Sequence, residues 1–197
     1  MLLNWDRILF TKINQDWTNS FLDYMFPLWR EAITWIPLYI FLVLFVLINF
    51  GKKGWLWLAG LLVTVALTDQ ISSHLIKPLV NRPRPCLDVE LQEHIRLLLN
   101  YCSESRSFVS SHACNHFGLA FFFFYTLNLY FKKWGYAWFI WAATISYAQV
   151  YIGVHYPVDV ICGGILGSCI GYFTSLLFNK YVPLPPIVQP TGLTTSL

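Results

Sequence analysis

Charged residues are scarce in this sequence. Among its 197 residues, Lys and Arg number 13 and Asp and Glu number 10, so that 12% of the chain is charged and 56% is hydrophobic. A soluble globular domain carries about twice that share of charge, so the composition excludes an ordinary soluble domain and indicates a membrane protein. The net charge of +3 is small. No long basic stretch alternates with aromatic residues, which excludes nucleic acid as a partner.

Metal-ligand patterns and a cleavable leader are also lacking. No cluster of His, Cys and carboxylates has the spacing of a metal site, so we expect neither a metal nor another cofactor. The N-terminus has acidic and amide residues where a signal peptide keeps an apolar core, so we expect it to remain in the mature protein. The length fits one domain. Its motif-bearing core would cover about residues 55–178, and the Pro-rich segment 181–197 would be a flexible tail.

Aromatic residues, in contrast, are abundant at 18%, with nine Trp. Many lie at the ends of apolar runs, where their rings favour the headgroup layer of a bilayer. Phe21 to Trp29 forms a weaker apolar run, broken by Pro27, which predicts either a sixth span or an interfacial helix. The sequence therefore predicts an all-α, polytopic membrane helix bundle. Five runs are long enough to cross roughly 30 Å of hydrocarbon as helices: Ile33 to Phe50, Trp55 to Ile76, Ala113 to Phe131, Tyr136 to Val154, and Val158 to Phe178.

Short lysine-bearing loops predict the orientation of the bundle. Lys52 and Lys53 join the first two spans, Lys132 and Lys133 join the third to the fourth, and Lys180 follows the fifth. Lysines in short loops mark the cytoplasmic side. The long segment between the second and third spans and the loop at residue 155 would then share the outer face.

The long outer loop carries two further predictions. Apolar residues recur near helical spacing between Asp88 and Asn100, which predicts a short amphipathic helix at the membrane surface. We expect this helix to cover the bundle, with a substrate lid as the alternative. Cys86 and Cys102 lie in the same loop, where an oxidising compartment would permit a disulfide.

The outer loop begins with a cluster of cations. Lys77, Arg82 and Arg84 fall within eight residues, interspersed with three prolines. Proline stiffens the backbone, and arginine can hold a phosphate through two parallel hydrogen bonds. This pattern indicates a fixed anion site, although a loop that touches lipid headgroups would look the same.

Two further stretches carry histidines at predicted helix starts. Ser110 or Ser111 could cap the third span, and the free N–H groups of its first turn would favour an anion beside His112. Farther along, Asp159 lies close enough to His155 to accept its ring N–H and to leave the other ring nitrogen free to attack. Each stretch taken alone also fits a structural role.

Together, the three stretches resemble the signature of the type 2 phosphatidic acid phosphatase superfamily over about the last two-thirds of the chain. The first family motif, a lysine followed seven residues later by Arg-Pro, falls on Lys77 and Arg84. The second, Pro-Ser-Gly-His, falls on residues 109–112, which read Val-Ser-Ser-His. The third places a histidine and, four residues later, an aspartate at His155 and Asp159. Order, spacing and expected outer location all agree.

The resemblance implies a phosphohistidine mechanism in a metal-independent enzyme. His155 would attack phosphorus, Asp159 would orient it, and His112 would first protonate the leaving group and then activate water. Phosphate oxygens would be held where charge develops. The residues that the resemblance assigns to this task are Lys77, Arg84, Ser110, Ser111 and Gln149.

Gln149 departs from the family pattern, because it stands where the third motif has an arginine. A charge-assisted hydrogen bond contributes about 1.5 to 3 kcal/mol against about 1 kcal/mol for a neutral one. Its loss could slow turnover about tenfold or more. Arg82 or Arg106 could supply the missing charge, because they are close in sequence to Arg84 and Ser110.

The function that the resemblance implies is hydrolysis of a membrane lipid phosphate on the outer face of a bacterial cytoplasmic membrane. Candidate substrates are a polyprenyl diphosphate, the phosphates of lipid A, and phosphatidylglycerol phosphate or phosphatidate. A lipid phosphotransferase that uses the same intermediate is one alternative, and a catalytically weak lipid-binding protein is another. The spans argue against a haloperoxidase, which shares a similar oxyanion pocket.

Overall fold

The computed structural model describes residues 2–91 and 95–186, and within these ranges every regular element is a helix. The predicted all-helical class is therefore confirmed. The predicted tail lies largely outside the described residues. The α-helices are α1 (Leu2–Thr11), α2 (Ser20–Trp29), α3 (Ile36–Phe50), α4 (Lys52–Asp69), α5 (Lys77–Val80), α6 (Ser111–Phe131), α7 (Ala137–Tyr151) and α8 (Pro157–Tyr181). Two π-helical segments, Lys12–Asp16 and Gln70–Ile76, continue α1 and α4.

Within the described part of the chain, three helical segments are long and apolar enough to cross a membrane: Ala32–Phe50, Lys52–Leu87 and Pro157–Tyr181. Three of the predicted spans fall within them. Helix α2 has only ten residues, which rise about 15 Å, or half of the hydrocarbon thickness. The weak N-terminal run therefore forms a helix that packs against α7 and is too short to cross by itself.

The bundle core is largely aromatic. Trp57 of α4 is fully buried and stacks against Phe123 of α6, with ring centroids 5.7 Å apart. Its indole N–H donates to the hydroxyl of Thr126 over 2.8 Å. Large rings bury much apolar area, and a buried indole needs a partner for its one donor. This pairing fixes α4 against α6.

Helices α6 and α8 approach each other through glycines. A Cβ at Gly167 would lie 2.0 Å from the carbonyl oxygen of Cys114, and one at Gly171 would lie 2.1 Å from that of Gly118. Helices in a membrane associate through close packing of small residues, because lipid is as apolar as their side chains. The contact thus fixes the starts of α6 and α8 side by side.

The lysine-bearing loops meet at one end of the bundle. The Lys53 ammonium donates to the carbonyl oxygen of Pro183 over 2.7 Å. The Tyr130 hydroxyl donates to the carbonyl oxygen of Pro185, also over 2.7 Å. The loop after α3, the end of α6 and the segment after α8 therefore lie together. The long loop after α5 and the start of α8 lie at the opposite end.

The amphipathic helix predicted over Asp88 to Asn100 is wrong for the residues that the structure describes. Residues 89–91 form a turn, residues 95–100 are not helical, and residues 92–94 lie outside the described ranges. The backbone N–H of Leu98 donates to Ile152, and that of Arg96 donates to the buried side chain of Asn14. The apolar side chains pack instead beside α1 and the end of α7. Long-range hydrogen bonds thus replace those of a helix.

The disulfide between Cys86 and Cys102 is confirmed, with the two Cα atoms 6.1 Å apart. It closes a loop of sequence separation 16. Such a link restricts the unfolded chain and holds the two arms of the outer loop together.

The glycine contact yields a first prediction. We expect Gly167→Ala to lower the melting temperature in detergent, because the new methyl group meets backbone atoms that cannot rotate away, and overpacking costs about 1 to 3 kcal/mol. Gly164→Ala is the matched control in the same helix, since its Cβ would meet the ring of Phe117 at 3.1 Å. Equal melting temperatures for both variants would contradict close packing at Gly167.

Candidate active site

A polar pocket of about 270 Å³ lies at the end of the bundle where α6 and α8 begin. Its lining includes three cationic residues and two histidines: Arg30, Lys77, Arg84, His112 and His155. Serines 73, 103, 105 and 111 also line it. No described lining residue is a carboxylate. The surplus of cations gives the pocket a positive potential that favours an anion.

His155 lies in the short connection between α7 and α8, with 2% of its surface exposed. Its Nδ1 is 3.6 Å from the Asp159 carboxylate and 3.4 Å from the Ser107 hydroxyl. Its Nε2 lies 3.2 Å from a terminal nitrogen of Arg84. Because arginine has only donors, Nε2 accepts this bond and the ring proton belongs on Nδ1. Nε2 is therefore the nitrogen with a lone pair beside the pocket.

Burial lowers the pKa of His155 to about 4, although the hydrogen bond with Asp159 acts in the opposite direction. Desolvation disfavours the charged imidazolium, and the cations Arg84 and Lys77 act in the same sense. The ring is therefore neutral at neutral pH. A neutral imidazole with a free Nε2 has the protonation state that a nucleophile needs.

The Asp159 carboxylate is fully buried and has three donors. One oxygen accepts from Arg82 over 2.7 Å, and the other accepts from the backbone N–H of Tyr156 over 3.0 Å and from the Ser107 hydroxyl. A buried carboxylate needs such partners. They hold Asp159 in one orientation, and Asp159 together with Ser107 fixes the His155 ring.

Arg82 lies behind the catalytic pair and does not line the pocket, contrary to the suggestion that it grips phosphate. Besides Asp159, it donates to the buried Asp6 of α1 over 2.6 Å, and its guanidinium lies 3.9 Å from the ring centre of Tyr156. Asp6 also accepts from the backbone N–H of Val158 over 2.9 Å. The two terminal nitrogens of Arg82 therefore each donate to a carboxylate, one to Asp159 and one to Asp6. Through Asp6, helix α1 is anchored to the start of α8.

Arg84 and Lys77 line the pocket as predicted. The guanidinium of Arg84 donates to the carbonyl oxygen and the hydroxyl of Ser105, each over 2.8 Å, and to the carbonyl oxygen of Val154 over 2.9 Å. Arg84 is thus fixed by neutral acceptors and keeps its full charge available. The disulfide at Cys86, two residues later, holds this arm of the loop near Ser105.

The residues of the second motif do not all line the pocket. Ser111 and His112 line the pocket, and the Ser111 hydroxyl lies 2.8 Å from that of Ser73. Ser110 is fully buried, outside the pocket lining, and its hydroxyl accepts from the backbone N–H of Ala113 as the cap of α6. The structure therefore gives the Ser110 hydroxyl a structural role in place of the expected contact with phosphate.

Gln149 and Arg106 also lie away from the expected positions. The Gln149 side chain is fully buried, does not line the pocket, and makes no hydrogen bond with any described residue. The backbone carbonyl oxygen of Gln149, in contrast, accepts from the backbone N–H of Val154 over 3.1 Å and from that of His155 over 3.2 Å. Arg106 is exposed on a neighbouring cleft that it shares with Lys77. Position 149 thus supports His155 through its backbone.

Sequence reasoning missed three functional residues. Ser107 bridges Asp159 and His155, Asp6 anchors Arg82, and Arg30 reaches the pocket from the end of α2. Ser107 lies two residues before the second motif at 109–112, and that closeness is the one signal in the sequence that could have found it. Asp6 and Arg30 have no spacing relation to any motif, and only the fold brings them to the site.

A buried imidazole held beside a carboxylate and facing a cationic pocket is an arrangement suited to binding and reacting with phosphoryl groups. The sequence profile of the PAP2 superfamily matches residues 56–183. The chain belongs to that superfamily, and the resemblance seen in its motifs is confirmed.

Two curated relatives are similar over most of the chain. The lipid A 4'-phosphatase of Bacteroides thetaiotaomicron is 30% identical over 165 residues, which cover 82% of this chain and 72% of the relative. That of Porphyromonas gingivalis is 31% identical over 175 residues, which cover 87% of this chain and 72% of the relative.

Two crystal structures share the fold. Aquifex aeolicus LpxE superposes with a TM-score of 0.61 and 25% identity, over 84% of this chain and 92% of that one. The PAP2-type phosphatidylglycerolphosphate phosphatase of Bacillus subtilis superposes with a TM-score of 0.64 and 18% identity, over 91% and 87% of the two chains. The second likeness concerns the fold alone.

The position of Arg82 yields a second prediction. We expect Arg82→Ala to lower kcat about tenfold with little change in KM, because Asp159 loses a charge-assisted bond and orients His155 less well. Arg82→Lys should recover part of the loss. Steady-state kinetics on a lipid phosphate tests this. A raised KM at unchanged kcat would show instead that Arg82 binds the phosphate directly.

Proposed function

We propose that this membrane lipid phosphatase hydrolyses a phosphate monoester of lipid A through a phosphohistidine at His155. One observation carries the proposal. The Nε2 of His155, with its proton held on the other ring nitrogen, lies 3.2 Å from Arg84 at an anion pocket without a carboxylate lining among the described residues. A nucleophile at such a site is set up for a phosphorus centre.

In the first half-reaction, Nε2 of His155 forms a bond to phosphorus while the bond from phosphorus to the lipid oxygen breaks. His112, which lines the same pocket, gives its proton to the departing oxygen. Lys77 and Arg84 offset the charge on the phosphoryl oxygens, where stabilisation matters most. The Asp159 carboxylate supports the positive imidazole ring through Nδ1.

In the second half-reaction, His112 takes a proton from water, the water oxygen attacks phosphorus, and the bond to Nε2 breaks. Inorganic phosphate leaves and both histidines return to their starting states. The protein's own cations neutralise the phosphate throughout, and we propose that the reaction needs no metal.

Similarity to the two lipid A 4'-phosphatases supports lipid A over the other candidates. These relatives are 30 and 31% identical over more than four-fifths of the chain. The phosphatidylglycerolphosphate phosphatase supports only the shared fold at 18% identity. Lipid A phosphates are monoesters on a sugar, which agrees with a polar cleft beside the pocket, lined by Asn81, Glu104 and Arg106.

We also propose that α6 and α7 cross the membrane with the three apolar segments, giving five spans in a single domain. The lysine-bearing loops lie at the end opposite the pocket, which favours a cytoplasmic location for them. The active site would then open on the outer, periplasmic face of a bacterial inner membrane.

Phosphate release from purified protein in detergent tests the proposed function. The substrates are lipid A, phosphatidylglycerol phosphate, phosphatidate and undecaprenyl diphosphate. We expect release from lipid A by the parent, and a loss of at least about a thousandfold in His155→Ala, because a missing nucleophile cannot be replaced by binding alone. His74→Ala, an exposed histidine outside the pocket lining, is the matched control.

Each other outcome has a distinct meaning. Equal release by His155→Ala and the parent would overturn the phosphohistidine mechanism. Release from another lipid alone would overturn the substrate. Transfer of phosphate to an added acceptor lipid, without release, would identify a phosphotransferase.

A further inference from the structure

We propose that Arg30, at the C-terminal end of α2, binds the substrate phosphate and completes a cluster of three cations in the pocket. The inference rests on the proposed function, because it takes the ligand to be a phosphate monoester. It adds a residue from outside the matched range 56–183.

Arg30 reaches the site through a side chain that is only 10% exposed. It lines the same pocket as Lys77 and Arg84. Its Nη2 lies 3.5 Å from Nε2 of His112, at the edge of hydrogen-bonding range. The guanidinium therefore lies beside the histidine that would protonate the leaving group.

The guanidinium of Arg30 has binding capacity that the described part of the protein does not use. Its Nε is buried and has no hydrogen-bond partner among the described residues. Its one ion pair with a described residue, over 3.1 Å, is with the adjacent Glu31, whose side chain is 51% exposed. An ion pair with such an exposed carboxylate contributes little to stability.

Arg82 provides the comparison, because its charge is paired with buried carboxylates inside the protein. It pairs with Asp6 and Asp159, whose side chains are 1% and 0% exposed. A buried charge is costly unless an opposite charge and hydrogen bonds compensate it. The Arg30 side chain is 10% exposed against 15% for Arg82, and Arg30 has no ion pair with a buried carboxylate in the described ranges. A phosphate dianion in the pocket would supply that compensation.

The substrate's own chemistry favours a third cation. In phosphoryl transfer, negative charge spreads over three equatorial oxygens. Lys77 and Arg84 provide two cations, and the side chain of Gln149 is neutral and outside the pocket. Arg30 is the further cation among the described lining residues, so the cluster has one positive charge for each equatorial oxygen.

The segment around Arg30 is held rigidly by tryptophans. The Trp29 indole donates to the Thr144 hydroxyl over 3.0 Å, and the Trp35 indole donates to the carbonyl oxygen of Trp29 over 2.8 Å. The two indole rings lie 4.5 Å apart, and Trp35 also packs on Trp141 of α7. Arg30 is therefore preorganised on the bundle, which reduces the entropy lost when it binds phosphate.

Three full-length variants test the proposal. Arg30→Gln keeps the length and a donor but removes the charge, Arg30→Lys keeps the charge without the planar fork, and Glu31→Gln removes the exposed partner. The readouts are kcat/KM for lipid A, inhibition by orthovanadate as a phosphate mimic, and the melting-temperature rise on adding orthophosphate. Melting without phosphate checks the fold of each variant.

We expect Arg30→Gln to raise the inhibition constant for vanadate about ten- to a hundredfold and to lower kcat/KM by a similar factor, because a charge-assisted bond is lost. The phosphate-induced stabilisation should shrink accordingly. Arg30→Lys should recover part of both, since lysine acts as a point charge. Glu31→Gln should match the parent.

The proposal is overturned if Arg30→Gln retains the parent's vanadate inhibition and phosphate-induced stabilisation. It is equally overturned if that variant only melts earlier without phosphate, which would mark a structural role. Orthophosphate stabilisation needs no lipid turnover. A parent that binds phosphate through Arg30 yet hydrolyses no lipid would therefore refute the proposed function alone, and a parent that phosphate does not stabilise would refute both.

Discussion

The close contact between the starts of α6 and α8 is the constraint on which the site depends. The backbone N–H of Ser110 donates to the carbonyl oxygen of Asp159 over 3.0 Å, and a Cβ at Gly163 would lie 2.5 Å from the Ser110 carbonyl oxygen. Only a glycine allows that approach. Because His112 follows one of these helix starts and His155 precedes the other, the same contact brings both histidines to one pocket. Packing between two helices thus determines the distance between the two histidines to which the proposed mechanism assigns nucleophile and general acid.

The charged side chains around His155 form two groups, one paired and buried behind the ring and one cationic at the pocket in front of it. Behind His155, the carboxylates of Asp6 and Asp159 share the guanidinium of Arg82, so each buried charge has an opposite partner. In front of His155, the pocket has cations and no carboxylate among the described lining residues. An apolar bundle tolerates the first group because it is neutralised internally. It tolerates the second because the pocket is open to solvent and anions, so the unmatched positive charge favours binding of an anion there.

Sequence alone predicted those features that depend on spacing or on apolar runs. The motif residues Lys77, Arg84, His112, His155 and Asp159 converge as expected. Four of them lie next to a helix end that hydropathy could locate, and Arg84 lies in the loop that follows Lys77. The helix predicted over 88–100 failed, since Asn14 and Ile152 take its backbone hydrogen bonds from far away in sequence. Ser110 and Arg82 were placed on the phosphate because sequence shows proximity but not direction. In the structure, the Ser110 hydroxyl caps α6, and Arg82 pairs with the carboxylates of Asp6 and Asp159.

The loss of arginine at position 149 has a physical explanation in the two roles of that position. Its carbonyl oxygen accepts from the N–H of His155, a role that any side chain permits, while the neutral amide of Gln149 is buried without a partner among the described residues. Phosphate binding depends on where the positive charge lies in the pocket and does not depend on which helix carries it. A cation from α2 can therefore replace one from α7, provided that α2 is fixed to the bundle. The tryptophan contacts beside Arg30 meet that condition, so that under the proposed role of Arg30 the N-terminal segment belongs to the phosphate site.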